Sequence, residues 1–248
     1  MPDTFRHPKY SLLTPGTSQP KMAKAAPDDK PWANVILHLS PADASGVANT
    51  CAFAGACKAV CLNTAGRGAM SNVQQARARR TRMFVQDRHA FMDALTDDLA
   101  KFVTKCAKTG FLPAVRLNGT SDLPWWNIRD RHGLTVFDHN YGAAFYDYTK
   151  RPSGDWPTMP IGQDYHLTYS FDPHNGWDPA LDALAYGANV ALVFDIPKKA
   201  PLPTEYGGIP VIDGRTHDYR FLDDRQGVFV GLSALGKARK DTDFVIKV

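Results

Sequence analysis

The sequence has few cysteines and no long hydrophobic run, and both shortages exclude whole classes of protein. It has 4 cysteines among 248 residues, which is too few for the disulfide framework of a small secreted protein. No apolar run approaches the length of about 18 residues that a membrane span needs. Residues 1–31 contain no continuous apolar segment of the kind found in secretory signals. We therefore expect a protein of a reducing cytosol that does not contact a membrane.

The excess of positive charge is also small. The chain has 29 Lys and Arg against 25 Asp and Glu, a formal net charge of +4, which is far from a surface built throughout to hold nucleic acid. Hydrophobic residues at 44% and charged residues at 22% exclude disordered, collagen-like and coiled-coil proteins. Prolines recur along residues 1–31, so this segment is predicted to be a flexible N-terminal arm. Residues 32–248 are predicted to form a single domain.

Short apolar runs alternate with helical or looped connections along the rest of the chain. Residues 71–108 predict two helices that break near Asp87. The expected strands are nearly continuous apolar runs, as in parallel sheets that are covered on both faces. They are 35–39, 113–118, 134–138, 144–149, 165–171, 189–195, 209–213 and 227–232.

Eight strands in one domain favour an α/β fold of the TIM type, a (β/α)8 barrel with the functional loops at the carboxyl ends of its strands. The connections 150–164 and 196–208 are rich in proline and do not predict helices, so the barrel is expected to be degenerate. An open, doubly wound sheet is the alternative.

Cys51, Cys57 and Cys61 lie together on the loop after the first predicted strand, with the spacing C-x5-C-x3-C. Three soft thiolates on one loop suit an iron–sulfur cluster. We expect a [4Fe–4S] cluster with one iron left for a side chain such as His139 or Asp122, or for a substrate. Zinc is the alternative, although a structural zinc site usually has four ligands in local pairs. Cys106 lies on the apolar stripe of the second helix and is expected in the core.

Polar residues close several predicted strands, where a barrel would gather them beside the cysteines. Turn formation or a lysine that extends its amine to solvent would explain the same residues without any function. The candidates for catalysis are Asn118, Asp122, Tyr148, Lys150 and Asp172, those for cofactor binding are Arg67, Arg77 and Ser170, and Asp213, Asp218, Arg220 and Asp223 are candidates for a charge network.

Several segments in a fixed order resemble an uncharacterised bacteriophage family, the gene product 88 type. They are CAFAGACKAVCLNTAGRG, VRLNGTSDL, FYDYTKRP, LTYSFD and VIDGRTHDYRFLDDRQGVFVGLSALGKA. The resemblance covers residues 35–248. It implies a phage gene expressed in the cytoplasm of a bacterial host, and it implies no established activity.

The cysteine loop is also similar, more loosely, to that of radical S-adenosylmethionine enzymes. Those enzymes place three cysteines after the first strand of a βα barrel, with the spacing C-x3-C-x2-C. This resemblance implies that S-adenosylmethionine binds at the open iron. The present spacing differs, and no Gly-Gly-Glu-like strand motif follows the cysteines.

These features leave three functions open. The first is an iron–sulfur redox or radical enzyme that acts on a small molecule or a nucleotide. The second is a zinc-stabilised phage protein that binds or processes nucleic acid, as suggested by the basic arm and by the arginines between Arg67 and Arg88. The third is a host-interaction or virion protein in which the metal centre is structural.

Overall fold

One nine-stranded sheet organises the described part of the chain. The computed structural model describes residues 5–18, 26–64, 66–157, 165–240 and 243–248. The strands are β1 Leu13–Pro15, β2 Trp32–Leu37, β3 Leu112–Arg116, β4 Ala144–Thr149, β5 Tyr165–Ser170, β6 Val190–Phe194, β7 Glu205–Tyr206, β8 Ile209–Asp213 and β9 Phe229–Ser233. The α-helices in these ranges are α1 Ser71–Gln86, α2 Arg88–Thr109 and α3 Asp178–Ala185.

The centre of the sheet is parallel. Its spatial order is β1-β2-β3-β4-β5-β6-β9-β8-β7. The strands from β2 through β6, then β9 and β8, pair in parallel, and β1 and β7 add antiparallel strands at the two ends. The parallel strands therefore all end at one side of the sheet, which we call the carboxyl edge.

The expectation of a TIM-type barrel is wrong, because the sheet is open. A closed barrel requires its first and last strands to pair, whereas β1 and β7 are the two ends of the strand order. Three α-helices in the described ranges are also too few for the outer ring of eight. The expected strand at 134–138 is a turn, in which Asp138 accepts hydrogen bonds of 2.7 Å from both the backbone N–H and the hydroxyl of Thr135.

The sheet is open, as the alternative predicted, but the α-helices of the described ranges cover one face, whereas a doubly wound sheet has helices on both. Along β2, Val35 and Leu37 belong to the main core, while Ile36 faces the other way. The main core contains Phe84 of α1, the stripe of α2 from Phe91 to Cys106, and Ala180 and Ala183 of α3. We call the opposite side, on which none of the α-helices in the described ranges packs, the helix-free face. There Ile36, Ala114 and Tyr146 pack under Tyr219.

The N-terminal segment contributes to this core. Residues 1–4 and 19–25 of the expected arm lie outside the described residues. β1 extends the sheet beside β2. Just before and within β1, the backbone N–H groups of Ser11, Leu12 and Leu13 donate to the buried carboxylate of Asp98 on α2, over distances of 2.7 to 3.1 Å.

The predicted break between the two long helices is confirmed. Asp87 ends α1 and caps α2 by accepting a hydrogen bond of 2.9 Å from the backbone N–H of Ala90. None of the helices in the described ranges combines the length and the apolar composition needed to span a bilayer.

Candidate functional site

The three clustered cysteines lie on a loop that leaves the carboxyl end of β2, residues 51–61, which we call the cysteine loop. Cys57 lies in a short 3-10 helix, Gly55–Lys58. The loop has many small side chains: Ala52, Ala54, Ala56 and Ala59. The three thiols are partly exposed and form no disulfide, so they remain available as ligands.

Asp172, directly after β5, anchors the middle of the cysteine loop. Its Oδ2 accepts a hydrogen bond of 3.0 Å from the backbone N–H of Cys57, and its Oδ1 accepts one of 3.1 Å from the N–H of His174. Gly55 packs directly on this carboxylate, since a Cβ at Gly55 would lie 2.9 Å from the same Oδ2. The loop therefore needs glycine at this position for close contact as well as for its φ of +50°.

Residues that follow β3 contact Cys51 and the residue before it. The carbonyl oxygen of Thr50 accepts a hydrogen bond of 2.8 Å from the backbone N–H of Asp122. The thiol of Cys51 donates to the carbonyl oxygen of Thr120 over 3.7 Å. Further along, Arg151 lies 5.1 Å from the ring of Phe53. Residues that follow β3, β4 and β5 thus all contact the cysteine loop.

Lys150 places a positive charge beside these groups. Its side chain is buried, and Nζ donates to the carbonyl oxygens of Ser170, over 2.9 Å, and Phe171, over 3.2 Å. Nζ also lies 3.6 Å from Oδ2 of Asp172. The ammonium group therefore joins the ends of β4 and β5 beside Asp172, the residue that binds the backbone of Cys57.

The thiols are close enough to influence one another electrostatically. Burial raises the pKa of Cys57 to about 11, and the charge of Lys150 acts in the opposite direction. The other two thiols both raise the pKa of Cys57. Deprotonation of one cysteine is thus opposed by its neighbours, and a bound cation would relieve this repulsion.

Arg77 of α1 supports the segment directly after the cysteine loop. Its buried guanidinium donates to the side-chain oxygen of Asn63. Burial lowers the pKa of Arg77, and the charge of Cys61 raises it. Arg67 is exposed on the short 3-10 helix Gly66–Ala69. Of these two predicted cofactor-binding residues, the structure brings Arg77 within the electrostatic reach of the cysteines.

The candidate residues at the strand ends divide into two groups. Asp122, Lys150, Ser170 and Asp172 meet around the cysteine loop. Asp122 accepts hydrogen bonds from the hydroxyl of Thr149, over 2.7 Å, and from the backbone N–H of Lys150, over 3.0 Å, and burial raises its pKa. This group gathers without a closed barrel, because parallel strands end at one edge whether or not the sheet closes.

Asn118 and Tyr148 are occupied elsewhere. The side-chain oxygen of Asn118 accepts hydrogen bonds from Ser121, Leu123 and Trp125, which fixes the loop after β3. The hydroxyl of Tyr148 donates to Asp218 over 3.2 Å on the helix-free face, and burial raises the pKa of this phenol. Their contacts therefore suit structural roles.

Two residues considered as further ligands lie away from the cysteine loop. His139 precedes β4, and thus lies toward the opposite edge of the sheet, where its Nε2 is 3.0 Å from Asp130. Cys106 is fully buried near the end of α2, which leads into the start of β3. Asp122 remains the nearer candidate for a fourth ligand.

One buried carboxylate was missed by the sequence reasoning. Asp147 in β4 accepts hydrogen bonds from the backbone N–H of Asn118, over 2.7 Å, and from the hydroxyl of Tyr165, over 2.9 Å. Burial raises its pKa to about 7, while Arg116 acts to lower it. A charged residue in the middle of the run AFYDYT was the available signal.

The donor set and the position of the cysteine loop fit a thiolate-bound metal centre. Its thiols are soft ligands, and the loop lies where parallel sheets bind their ligands. Among the described residues, no three His, Cys, Asp or Glu side chains stand in an arrangement that holds a metal ion. Binding would therefore have to draw the three thiols together.

Comparison with known proteins gives the family. A family model described as gene product 88 matches residues 12–248. The chain belongs to the gene product 88 family. This confirms the resemblance inferred from the order of the sequence segments. No curated protein and no solved structure matches the chain, so the radical S-adenosylmethionine resemblance gains no support.

The packing of Gly55 on Asp172 gives a direct test of how this gene product 88 protein holds its cysteine loop. Gly55→Ala is expected to displace the loop and to increase the rate at which an alkylating reagent modifies Cys57. Gly46→Ala is the matched control, because Gly46 has a φ of +74° but no atom within 4 Å of its ideal Cβ. Equal alkylation rates in the two variants would contradict the anchoring role of Asp172.

Proposed function

We propose that Cys51, Cys57 and Cys61 bind a [4Fe–4S] cluster, and that the protein is an iron–sulfur redox enzyme. The observation that carries the proposal is the placement of three free thiols on one loop at the carboxyl edge, with the middle of that loop anchored by Asp172. A cluster held by three cysteines would supply electron transfer or a Lewis-acidic iron. The protein's own groups would hold the loop, offset charge and position a substrate.

The charges around the loop support this assignment. Three thiolates and the carboxylate of Asp172 would concentrate negative charge at one place. Lys150 lies 3.6 Å from Asp172, and Arg77 interacts electrostatically with Cys61. Because both cations are buried, water screens them weakly, and they offset the charge of a thiolate centre more effectively than surface residues would.

A cavity at the carboxyl edge is the candidate site for a small-molecule or nucleotide substrate. It has a volume of about 280 Å³ and is lined by Asp195, Lys198, Ala234 and Arg239, among others. Ala234 also packs in one apolar cluster with Val60 of the cysteine loop. The cavity lies at the same carboxyl edge as the cysteine loop, because Asp195 and Ala234 directly follow β6 and β9. Its basic side chains, Lys198 and Arg239, suit a substrate that carries an anionic group.

Anaerobic purification of the full chain tests the proposal. We expect a brown protein that contains about four iron and four sulfide per chain, and a paramagnetic signal after reduction. A colourless protein that contains zinc would overturn the iron–sulfur assignment in favour of a zinc-stabilised protein. If S-adenosylmethionine changed the signal of the reduced protein and were cleaved, radical chemistry would replace simple redox chemistry. A chain that holds no metal after reconstitution would overturn the whole proposal.

A further inference from the structure

The helix-free face of the sheet contains an unusual group of polar atoms. Arg116 Nε, His166 Nε2, Thr168 Oγ1 and Arg220 Nε are buried and have no hydrogen-bond partner among the described residues. Thr168 is 0% exposed and Arg220 is 1% exposed. Folded proteins leave few such atoms, and a concentration of them commonly marks a bound water or ion.

These atoms face one region of the molecule. Tyr165, Leu167 and Tyr169 of β5 belong to the core on the helix side, so the alternating His166 and Thr168 point to the helix-free face. The short 3-10 helix Arg220–Leu222 contacts β4 and β5. Its Arg220 influences His166 electrostatically.

Tyr148 connects Arg116 to this region. The guanidinium of Arg116 lies 4.9 Å from the centre of the Tyr148 ring. The charge of Arg220 also reaches the Tyr148 phenol. The two guanidinium groups therefore approach the same tyrosine of β4.

All four atoms can act as donors. An arginine Nε–H and a threonine hydroxyl donate, and a neutral histidine donates from Nε2 in one tautomer. Carboxylates lie nearby without accepting hydrogen bonds from these four atoms. Asp147 lies 3.9 Å from Nε of Arg116, beyond hydrogen-bond distance, and Asp218 pairs with Nη1 of Arg116 over 2.8 Å. Asp223 lies 3.4 Å from Nη1 of Arg220, which also has no hydrogen-bond partner among the described residues. What the unpaired donors require is an acceptor, and buried donors bind a charged acceptor more strongly than exposed ones.

We propose that Arg116, His166, Thr168 and Arg220 form a binding site for an oxyanion, a phosphate or a carboxylate. This site goes beyond the proposed function and does not depend on a metal centre. Only the link between this site and the cysteine loop rests on the proposed function. Ser170, two residues after Thr168 and about 7 Å further along β5, lies 3.3 Å from Lys150. A ligand anchored by its anionic group would therefore extend toward the cysteine loop.

Calorimetric titration of the full chain, before any iron is added, tests this site. Inorganic phosphate and acetate are the two probes, and the tighter binder identifies the class of oxyanion. Thr168→Val keeps the shape of the side chain and removes one donor, so it should weaken binding roughly 3- to 10-fold. Arg220→Gln should weaken binding by at least about tenfold.

Thr104→Val and Arg82→Gln are the matched controls, because both residues are exposed on helices that pack on the other face. They should leave the affinity unchanged. If neither probe binds, or if Thr168→Val raises the melting temperature without changing the affinity, the site is overturned. The valine variant keeps the test decisive if Arg220→Gln fails to fold. Failure of the metal proposal would leave these titrations unaffected.

Discussion

Replacing Cys57 with alanine is expected to reduce bound iron and sulfide to background, whereas replacing Cys106 with alanine should leave both at the wild-type level. Cys57 is partly exposed on the loop that Asp172 anchors, and Cys106 is fully buried in the core near the end of α2. A cluster that loses one of three thiolates loses a ligand for which no other cysteine of the loop can substitute. Iron and sulfide analysis after anaerobic reconstitution measures the outcome.

Cys51→Ala and Cys61→Ala should behave as Cys57→Ala does. The Cys106→Ala protein also controls for general damage, because it removes a sulfur atom from a packed core and is expected to cost stability without costing the metal. Iron lost from the Cys106→Ala protein but kept by Cys57→Ala would place the centre elsewhere in the chain and contradict the proposed ligand set.

Asp98→Ala is expected to be the most destabilising single change among the residues discussed. Its buried carboxylate accepts hydrogen bonds from the backbone N–H groups of Ser11, Leu12 and Leu13. Without it, these donors lose their acceptor, at a combined cost of about 3 to 5 kcal/mol. We expect the melting temperature to fall by about 6 to 20 °C, as measured by calorimetry.

Asp97→Ala is the matched control, because Asp97 is the exposed neighbour of Asp98 on the same helix. It should change the melting temperature little. If the two variants had the same melting temperature, the docking of the N-terminal segment on α2 would not contribute to the stability of the fold.

The placement of the candidate site was predictable from the sequence, although the closure of the sheet was not. Asp122, Lys150 and Asp172 were identified because they follow apolar runs, and parallel strands bring such positions to one edge in a barrel and in an open sheet alike. Closure depends on whether the outermost strands pair with each other. β1 and β7 have 3 and 2 residues, too short to leave a recognisable pattern.

The oxyanion site was hidden for a different reason. His166, Thr168 and Ser170 alternate with Tyr165, Leu167 and Tyr169, and this alternation predicts one polar face. It does not show that the segment after Asp218 covers that face. Arg220 was identified only as part of a charge network, because its contact with β5 joins residues far apart in the chain. Long-range packing of this kind leaves no local periodicity to detect.

The two short outer strands have a consequence for how the protein behaves at high concentration. A long, flat strand at the side of a sheet offers a row of free backbone groups to which a second copy can add, and this is a common route to aggregation. Here each side ends in an antiparallel segment of 3 or 2 residues, and the segment on the β2 side ends at Pro15. Proline has no backbone N–H to offer. At each side of the seven parallel strands, a second copy would thus meet a short antiparallel segment first, which offers few backbone groups for intermolecular strand addition.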